Sequence, residues 1–526
     1  MPTSQTSSPH LGGLQPRGTR RLIYVSDPSN TTSHLSVPAA KPEELRQIVR
    51  NYASAGSIDT LVQEIFAEAM TMFWRTDKCP YDIRHQHQRL IPIMDSGIMP
   101  VEVYIDECHK QGMEFIAGFR MNDRHGHHTE FFKKLCDEKP EWVLREYKPS
   151  TRRASPESRK YGCSLNYAIP EVRAYLLAIM EEVANRFDID GMEFNFTRLA
   201  ECFPRAELSH SHSTMNGFIR QVRNMLDSAH SPTGRDRNLI LGVRVPQQMA
   251  GCKNLSLDVP TWIKEGLIDY VAPGDFGFTD FNEKYEDFVS IARQHNCYVY
   301  PQVQPRLSID TEFLMDMSQY RAALQNFYAA GADGFSTQNY FFHWGPQFEP
   351  PGTNGAKNPT MYPAAMNDLV ELKDPQNIGP DRHYTFRSLW ANSKSLGEVY
   401  IKEELVLSRQ KMGQRDTFRF RLCEHLPSEP IPSENTLTFF TQGLSKDDAL
   451  TVDINGTKIP SQDLKWTWPD NDQPPSCTIA LSNPPFIYGD NHLGLTIAKS
   501  AENIEEDIVV DHIECGIRSH SQTGDQ

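Results

Sequence analysis

Residues 187–198 have the sequence FDIDGMEFNFTR, and this stretch is the clearest indicator of the architecture of the chain. It follows a helical pattern at residues 171–186, and its side chains then alternate in polarity. Gly191, Glu193 and Asn195 share one side, and Met192, Phe194 and Phe196 share the other. Such alternation predicts a β-strand. Because helices cover the apolar side of a strand in an α/β barrel, we expect Glu193 inside the barrel near the C-terminal strand end. The alternative is an edge strand whose polar residues face solvent.

The same alternation recurs in four further segments, at residues 114–123, 239–246, 297–304 and 334–340. In each, a small or aromatic residue precedes a polar residue on one side. Further strands are predicted at 21–27, at 267–273 and, less clearly, near 60–65. Helical patterns separate the strands, and a last helix is expected at 364–372. Eight strands alternating with helices predict a (β/α)8 TIM barrel, in which the C-terminal strand ends form the active site.

The pattern changes at about residue 384. Short alternating segments are separated there by turn signals, among them Asn455-Gly456, and predict an all-β sandwich of jelly-roll type. The chain is therefore divided into a disordered Ser/Thr/Pro/Gly-rich segment (1–20), a catalytic barrel (21–383) and a smaller β-sandwich domain (384–520). Whether the sandwich binds sugar, supports the barrel or forms a homo-oligomer is left open.

Composition narrows the partners and the compartment. The 526 residues include 53 basic and 68 acidic side chains, a net charge of −15, which disfavours nucleic acid and anionic membranes as partners. No run of residues approaches the length of a membrane span, and residues 1–20 contain no apolar core of a signal peptide. Ten cysteines without a CxxC motif indicate thiols in a reducing compartment, so a cytoplasmic location is expected.

Several motifs resemble a known family. They are RMND at 120–123, EKPEW at 138–142, DIDGMEFNFTR at 188–198, GVRVP at 242–246 and APGDFGFTDFN at 272–282. Over residues 21–374 the chain is similar to a poorly characterised family of glycoside hydrolase-like barrel proteins, for which a C-terminal β-sandwich is a familiar companion. The resemblance implies a TIM barrel and a carbohydrate substrate. This chain departs from it at Asn195, where the family more often has aspartate, so a carboxylate role is excluded there.

Glycoside cleavage by the common route needs two carboxyl groups that flank the bond. Large retaining barrel clans place them on strands four and seven, but strand seven here offers Gln302 and Gln304, and an amide cannot be the nucleophile. Among the other carboxylates at strand ends, we predict that Glu193 and Asp275 form the catalytic pair. The alternative for Glu193 is an ion pair with an inward arginine, and the alternative for Asp275 is the cap of a turn.

Substrate binding is predicted for polar residues at the strand ends and for nearby aromatic residues. The polar set is Arg120, Asn122, Asp123, Asn195, Arg198, Arg244, Gln302 and Gln304, and the aromatic set is Trp74, Tyr340 and Trp344. Two inward arginines favour a uronic or otherwise acidic sugar, because guanidinium pairs well with such groups. The arginines could instead pair with Glu193 and Asp123.

The loop with His125, His127 and His128 next to Asp123 could bind a divalent metal, but its spacing matches no zinc pattern, so no metal or cofactor is assigned. A solvated or substrate-gating loop is the simpler interpretation. Three hypotheses result. The first is a glycoside hydrolase acting on a small glycoside or oligosaccharide. The others are a sugar lyase, isomerase or epimerase that uses the histidine loop, and a carbohydrate-binding protein that has lost its catalytic pair.

Overall fold

The structure is a computed structural model. It describes residues 21–33, 35–36, 40–54, 58–148, 155–198, 201–275, 277–307, 315–338, 340, 364–387, 403–429, 435–470 and 473–518. The predicted disordered segment and Trp344 lie outside these residues.

Eight parallel strands form the N-terminal sheet. They are β1 (Leu22–Ser26), β2 (Thr60–Ala67), β3 (Glu114–Arg120), β4 (Gly191–Asn195), β5 (Ile240–Val245), β6 (Tyr270–Pro273), β7 (Tyr298–Val299 with Gln302–Val303) and β8 (Phe335–Gln338). A two-residue strand, Met70–Thr71, pairs with the end of β2.

Strand β7 closes the barrel although it is interrupted. Its first segment pairs with β6 and its second segment pairs with β8, which in turn pairs with β1. Pro301 lies between the two segments and has no N–H to donate to a ladder. The sheet therefore returns on itself, and the predicted (β/α)8 barrel followed by a β-sandwich is confirmed.

Helices connect the strands. They are α1 (Pro28–Ser33), α2 (Pro42–Ala53), α3 (Ile91–Asp95), α4 (Pro100–Lys110), α5 (Thr129–Glu138), α6 (Pro156–Tyr161), α7 (Pro170–Arg186), α8 (His212–Ser228), α9 (Met249–Asn254), α10 (Val259–Lys264), α11 (Glu286–Gln294) and α12 (Met317–Ala329). Proline occupies the first turn of several of them, where its missing N–H costs no hydrogen bond. No helix in these ranges is both long and apolar enough to cross a bilayer.

The helix expected at residues 364–372 is instead two 3₁₀ turns, Ala364–Leu369 and Glu371–Lys373. Met366, Leu369 and Leu372 are buried at intervals of three residues, the spacing that places side chains on one face of a 3₁₀ turn. Strand β2, which was ambiguous in the sequence, extends over eight residues that are all buried. A strand covered on both faces lacks the alternation by which strands are recognised.

The barrel interior is separate from the layer between strands and helices. Its lower part is an apolar cluster of Ile23, Val25, Val62, Ile116, Ile240, Tyr270, Ala272 and Tyr300. Glycines leave room above it: a Cβ on Gly242 would lie 2.0 Å from the ring of Tyr270. The inward sides predicted for β3, β4, β5, β7 and β8 agree with this arrangement.

Antiparallel strands build the C-terminal region. They are β9 (Arg382–Arg387), β10 (Leu405–Leu407), β11 (Arg415–Leu422), β12 (Thr436–Gln442), β13 (Ala449–Ile454), β14 (Thr457–Lys458), β15 (Lys465–Thr467), β16 (Ser476–Ala480), β17 (Gly489–Lys499) and β18 (Ile508–Ile517). One sheet has the order β9-β18-β12-β16-β15, with β10 also on β18, and the other has the order β11-β17-β13-β14.

Two asparagines of the barrel hold this region through backbone groups of β11 and the residue that follows it. Asn282 donates to Arg419 O (3.1 Å) and accepts from Arg421 N (2.7 Å). Asn326 donates to Arg421 O (3.0 Å) and accepts from Cys423 N (3.1 Å). Each carboxamide thus substitutes for a neighbouring peptide group, so that the backbone of the sandwich is paired where it meets the barrel.

Candidate functional site

Charged side chains from the first three barrel strands and their loops meet at the C-terminal end of the barrel. Arg120 at the end of β3 is their centre. It donates to Glu64 through Nε (2.8 Å), to Asp123 through Nη1 (2.8 Å) and to Asp27 through Nη2. Asp27 follows β1 directly, and Glu64 lies on β2. One buried guanidinium therefore holds three buried carboxylates in a fixed arrangement.

Asn195 on β4 completes this group. Its Nδ2 donates to Glu64 Oε1 (2.9 Å), and its Oδ1 accepts from the backbone N (2.9 Å) and the hydroxyl (2.8 Å) of Thr197. An aspartate at this position would place a second negative charge against Glu64. The asparagine therefore serves as a hydrogen-bonding residue that the carboxylate of Glu64 requires.

The carboxylates of Asp27 and Asp123 are held in the ionised form. Burial by itself raises the pKa of Asp27, but the positive charges of Arg120 and Arg198 outweigh it and hold the pKa below the ordinary aspartate value. At Asp123 burial is likewise outweighed, by His125 and Arg120, so that its pKa lies well below the ordinary value. Both groups are therefore anionic at neutral pH.

His125 and Arg198 form the solvent side of the group. His125 Nδ1 is hydrogen-bonded to Asp123 Oδ1, and its Nε2 lies 3.4 Å from Arg198 Nη2. Arg198 Nη2 is also 3.7 Å from Asp27 Oδ2. The side chain of His125 is 32% exposed, whereas those of the carboxylates below it are almost completely buried. A molecule that approaches from solvent meets the imidazole and the guanidinium first.

Glu68 joins the group from the turn after β2. This turn is tight, with left-handed φ angles of 50° at Glu68 and 62° at Ala69. The carboxylate accepts from His127 N (3.1 Å), and burial raises its pKa above the ordinary glutamate value. One oxygen each of Glu68 and Asp123 and one ring nitrogen of His125 all lie within 4.8 Å of one another. The site thus combines Glu68, whose pKa is raised, with Asp123, whose pKa is lowered.

Glu193 and Arg244 lie inside the barrel and bind each other. Arg244 donates through Nε to Glu193 Oε1 (3.0 Å), and the Tyr270 hydroxyl donates to Glu193 Oε2 (2.9 Å). The remaining donors of Arg244 reach Gln302 Oε1 (2.5 Å) and Ser336 Oγ (2.7 Å). The ion pair considered for Glu193 is therefore present, and it links β4, β5, β7 and β8 through the interior.

Asp275 forms part of the turn that follows β6. Its Oδ1 accepts from Gly277 N (2.7 Å), and its backbone oxygen accepts from Gln302 Nε2 (2.6 Å). Asp275 is connected to Glu193 through Gln302 and Arg244. The catalytic pairing predicted for Glu193 and Asp275 stays a prediction.

Other predicted binding residues are engaged in packing. The Asn122 amide bonds Leu165 N (2.8 Å), Leu165 O (2.9 Å) and Glu201 O (2.7 Å), and so fastens two loops. Trp74 is fully buried, with its ring 6.3 Å from that of Phe187.

Tyr340 is also fully buried, with its ring 5.1 Å from that of Tyr320. Gln304, by contrast, follows β7 directly, and its backbone N–H donates to Thr279 Oγ1 (2.8 Å).

The sequence patterns did not identify Glu64 and Glu68. Glu64 lies on the second strand and Glu68 lies in the turn after it, and this strand was ambiguous in the sequence. Once that strand is placed at Thr60–Ala67, Glu64 is on its inward side, because it lies two positions after Val62 of the interior cluster. The position of Gln338 was predicted correctly on the inward side of β8, but it was not selected as a site residue. No local signal places Glu68 beside Asp123, because the contact depends on a tertiary turn.

A closed eight-stranded barrel with a charged group at its C-terminal strand ends defines a TIM-barrel protein whose candidate site lies where this fold carries active sites. Residues 29–204 match the model of the family Glycosyl hydrolase-like 10, and this segment includes Glu64, Glu68 and Asp123. The resemblance predicted from the sequence motifs is confirmed.

Two curated relatives are similar to part of the chain. Glycosyl hydrolase YngK of Bacillus subtilis strain 168 is 27% identical over 230 residues, which cover 37% of this chain and 42% of YngK. Glycosyl hydrolase DigH of Escherichia coli K12 is 23% identical over 209 residues, which cover 34% of this chain and 46% of DigH. The aligned region spans less than half the length of either relative.

Among solved structures, α-L-fucosidase isoenzyme 2 from Paenibacillus thiaminolyticus is similar at 13% identity with a TM-score of 0.41. The match covers 69% of this chain and 51% of the fucosidase.

Proposed function

We propose that this protein is a glycoside hydrolase that cleaves a small glycoside or oligosaccharide at the C-terminal end of its barrel. Glu68 is the general acid and Asp123 is the ionised carboxylate that faces the anomeric carbon. The observation that carries this assignment is the pairing of the two groups: carboxyl oxygens within 4.8 Å of each other, with pKa values shifted in opposite directions. Environments that separate the pKa values of neighbouring carboxyl groups are how glycosidases obtain an acid and a base from two similar side chains.

The roles follow from the charges. Burial favours the protonated form of Glu68, which can then donate its proton to the glycosidic oxygen. Asp123 stays ionised beside Arg120 and stabilises the positive charge that develops at the anomeric carbon. The nearest oxygens lie within 4.8 Å of each other, which is shorter than the ~6.5–9.5 Å of inverting enzymes. Asp123 is therefore proposed as a nucleophile that forms a glycosyl–enzyme intermediate.

Positioning residues surround the pair. His125 binds one oxygen of Asp123 and Arg120 binds the other, so that the carboxylate is held from both sides. Glu193 is less suited to catalysis, because it is paired with the fully buried Arg244 inside the barrel, whereas Asp123 lies directly against the partly exposed His125. These contacts support Glu68 and Asp123 in preference to the pair predicted from the sequence.

The test is hydrolysis of a panel of neutral and uronic aryl glycosides by wild type and matched variants. Asp123→Asn is expected to lose activity on every substrate. Glu68→Gln is expected to lose about 10²- to 10⁴-fold on poor leaving groups and much less on activated aryl groups, which need little protonation. The exposed Glu130→Gln variant is the control and keeps full activity. Folding of each variant is checked by circular dichroism and thermal unfolding.

Two results would overturn the assignment. If Glu193→Gln and Asp275→Asn abolish turnover while Glu68→Gln does not, the catalytic pair is the one predicted from the sequence. If wild type hydrolyses no glycoside, the hydrolase proposal fails.

A second candidate is metal-assisted sugar chemistry, such as a lyase, an isomerase or an epimerase. The specific observation is the donor set of Glu68, Asp123 and His125, whose two oxygens and one nitrogen are close enough to share a divalent cation. Removal of metal with a chelator separates the two candidates. The carboxylate mechanism predicts unchanged turnover, whereas the metal mechanism predicts loss that added Mn²⁺, Mg²⁺ or Zn²⁺ restores.

A further inference from the structure

Two neighbouring amide side chains end the strands on the side of the barrel opposite β4. In the pairing of β7 with β8, Ser336 is opposite Gln302 and Thr337 is opposite Val303. Gln338 is the next inward residue of β8, and Gln304 is the residue that follows β7. Continuing the register of the ladder by one residue beyond Val303 and Thr337 would place Gln304 opposite Gln338. Only 4% of Gln304 and 3% of Gln338 is exposed to solvent. They form a small polar surface that we call the amide pair.

The amide pair has polar atoms that the described parts of the chain do not satisfy. Both Oε1 and Nε2 of Gln338, and Nε2 of Gln304, are buried without a hydrogen-bond partner there. Gln302, one layer below, is fully engaged, since it accepts from Arg244 and donates to Asp275 O. Buried amides without partners are unfavourable, and native structures keep them where a ligand or an ordered water completes the bonds. The unsatisfied atoms therefore point to a bound molecule.

The amide pair borders the charged group of the candidate site. Gln338 is opposite Val25 on β1, and Asp27 is the next inward residue of that strand. The two inward arginines of β3 and β5 are already committed, because Arg120 binds three carboxylates and Arg244 binds Glu193. A ligand carboxylate or sulfate would meet the negative charge of Asp27 and could not pair with either of these two arginines, whereas a hydroxyl group can both donate to an amide oxygen and accept from an amide nitrogen.

We propose that Gln304 and Gln338 form a subsite for a neutral, hydroxyl-rich sugar residue, which the amide pair binds through adjacent hydroxyl groups. This inference rests on the proposed hydrolase function, because it names the class of sugar that occupies the site. A neutral sugar is thus proposed in place of the acidic sugar that the inward arginines led us to expect.

Stability without ligand provides the first part of the test. Gln338→Leu removes unsatisfied polar atoms without removing a bond, so its melting temperature should equal or exceed that of wild type. The matched control Gln302→Leu, one layer lower, removes two formed hydrogen bonds and should melt at a lower temperature. If the melting temperature of Gln338→Leu falls as far as that of Gln302→Leu, the Gln338 amide has a structural partner and the subsite is refuted.

Binding provides the second part and does not depend on turnover. The probes are methyl glucopyranoside, methyl galactopyranoside and methyl glucopyranosiduronate, titrated into the Asp123→Asn protein by calorimetry or ligand-observed NMR. We expect tighter binding of at least one neutral probe than of the uronate. Gln338→Leu in the same background should weaken that neutral probe at least about fivefold, the value of one hydrogen bond, and leave the uronate unchanged.

The outcomes separate the two proposals. If Gln338→Leu weakens the binding of a neutral probe and wild type hydrolyses no glycoside, the subsite is supported and the hydrolase is refuted. Hydrolysis with unchanged neutral affinity in Gln338→Leu supports the hydrolase and refutes the subsite, leaving an ordered water as the partner of the amides. Preference for the uronate, or no binding of any neutral probe, also refutes the subsite.

Discussion

Replacement of Glu283 by glutamine should remove a pH-dependent loss of stability at the contact between barrel and sandwich. Glu283 and Asp280 are buried together, and Gln247 Nε2 bridges them, with distances of 3.0 Å to Glu283 Oε2 and 2.9 Å to Asp280 Oδ2. Glu403 lies close by and accepts from Arg419 Nη2 (3.0 Å). Arg419 also pairs with Asp490 (3.2 Å), so one arginine serves several carboxyl groups.

The magnitude follows from the pKa of Glu283. Burial, assisted by the negative charge of Asp280, raises this pKa from 4.5 to about 8. A carboxyl group whose pKa is raised by folding contributes full stability below its unfolded pKa and loses it as the pH rises through its folded pKa. Each pKa unit is worth about 1.4 kcal/mol, and the loss ends near the folded pKa of about 8, so the loss between about pH 5 and pH 8.5 is about 4 kcal/mol. Burial also raises the pKa of Glu403, to about 7, so that group adds to the decline.

The assay is urea unfolding of wild type, Glu283→Gln and the exposed control Glu502→Gln at about pH 5 and pH 8.5. Glutamine resembles the protonated acid, so Glu283→Gln should match wild type at the lower pH. It should exceed wild type by several kcal/mol, about 3 to 5, at the higher pH. If the two proteins lose stability in parallel, or if Glu502→Gln gives the same gain, the burial argument is wrong.

Three further results are expected. Arg244→Met should lower the free energy of unfolding by about 3–5 kcal/mol because Glu193 is left buried without its cation, and the double variant with Glu193→Leu should recover most of the loss in urea unfolding. Gly242→Ala should cost about 1–3 kcal/mol, measured by thermal unfolding, since its Cβ would displace the ring of Tyr270; a wild-type melting temperature would contradict this. Asp123→Asn should be less stable than wild type at neutral pH, with the difference vanishing in acid, because the lowered pKa of Asp123 makes its contribution present above about pH 4 and lost as the pH falls through its folded pKa; a difference that does not change with pH would refute that sign.

The charged group also accounts for the asparagine at position 195, where the resemblance to glycoside hydrolase-like barrel proteins led us to expect aspartate. Glu64 occupies the inward side of β2 and accepts from both Arg120 and Asn195. An acid at position 195 would need a further cation to neutralise it, whereas the amide of Asn195 donates a hydrogen bond to Glu64 without adding a negative charge. The asparagine is therefore compatible with a working site whose carboxylates lie on the first three strands and their loops.

Sequence alone determined the barrel and the inward side of most strands, because both depend on local periodicity. Alternation around Gly191–Asn195 identified Glu193 as an inward residue, and the same pattern identified Arg120 and Arg244. The pattern failed at β2, since a strand buried on both faces has no alternation in polarity. Glu64 on that strand and Glu68 after it were therefore not identified as site residues.

Only the tertiary structure decided which inward groups pair. Arg244 binds Glu193, 51 positions away, and Ser336, 92 positions away, so neither bond leaves a local trace. The proximity of Glu68 to Asp123 likewise depends on a turn that reverses above β2. Periodicity assigns a residue to a face, but the partner of a buried charge is set by closure of the barrel, and that partner determines whether the charge stabilises the fold or is available for a substrate.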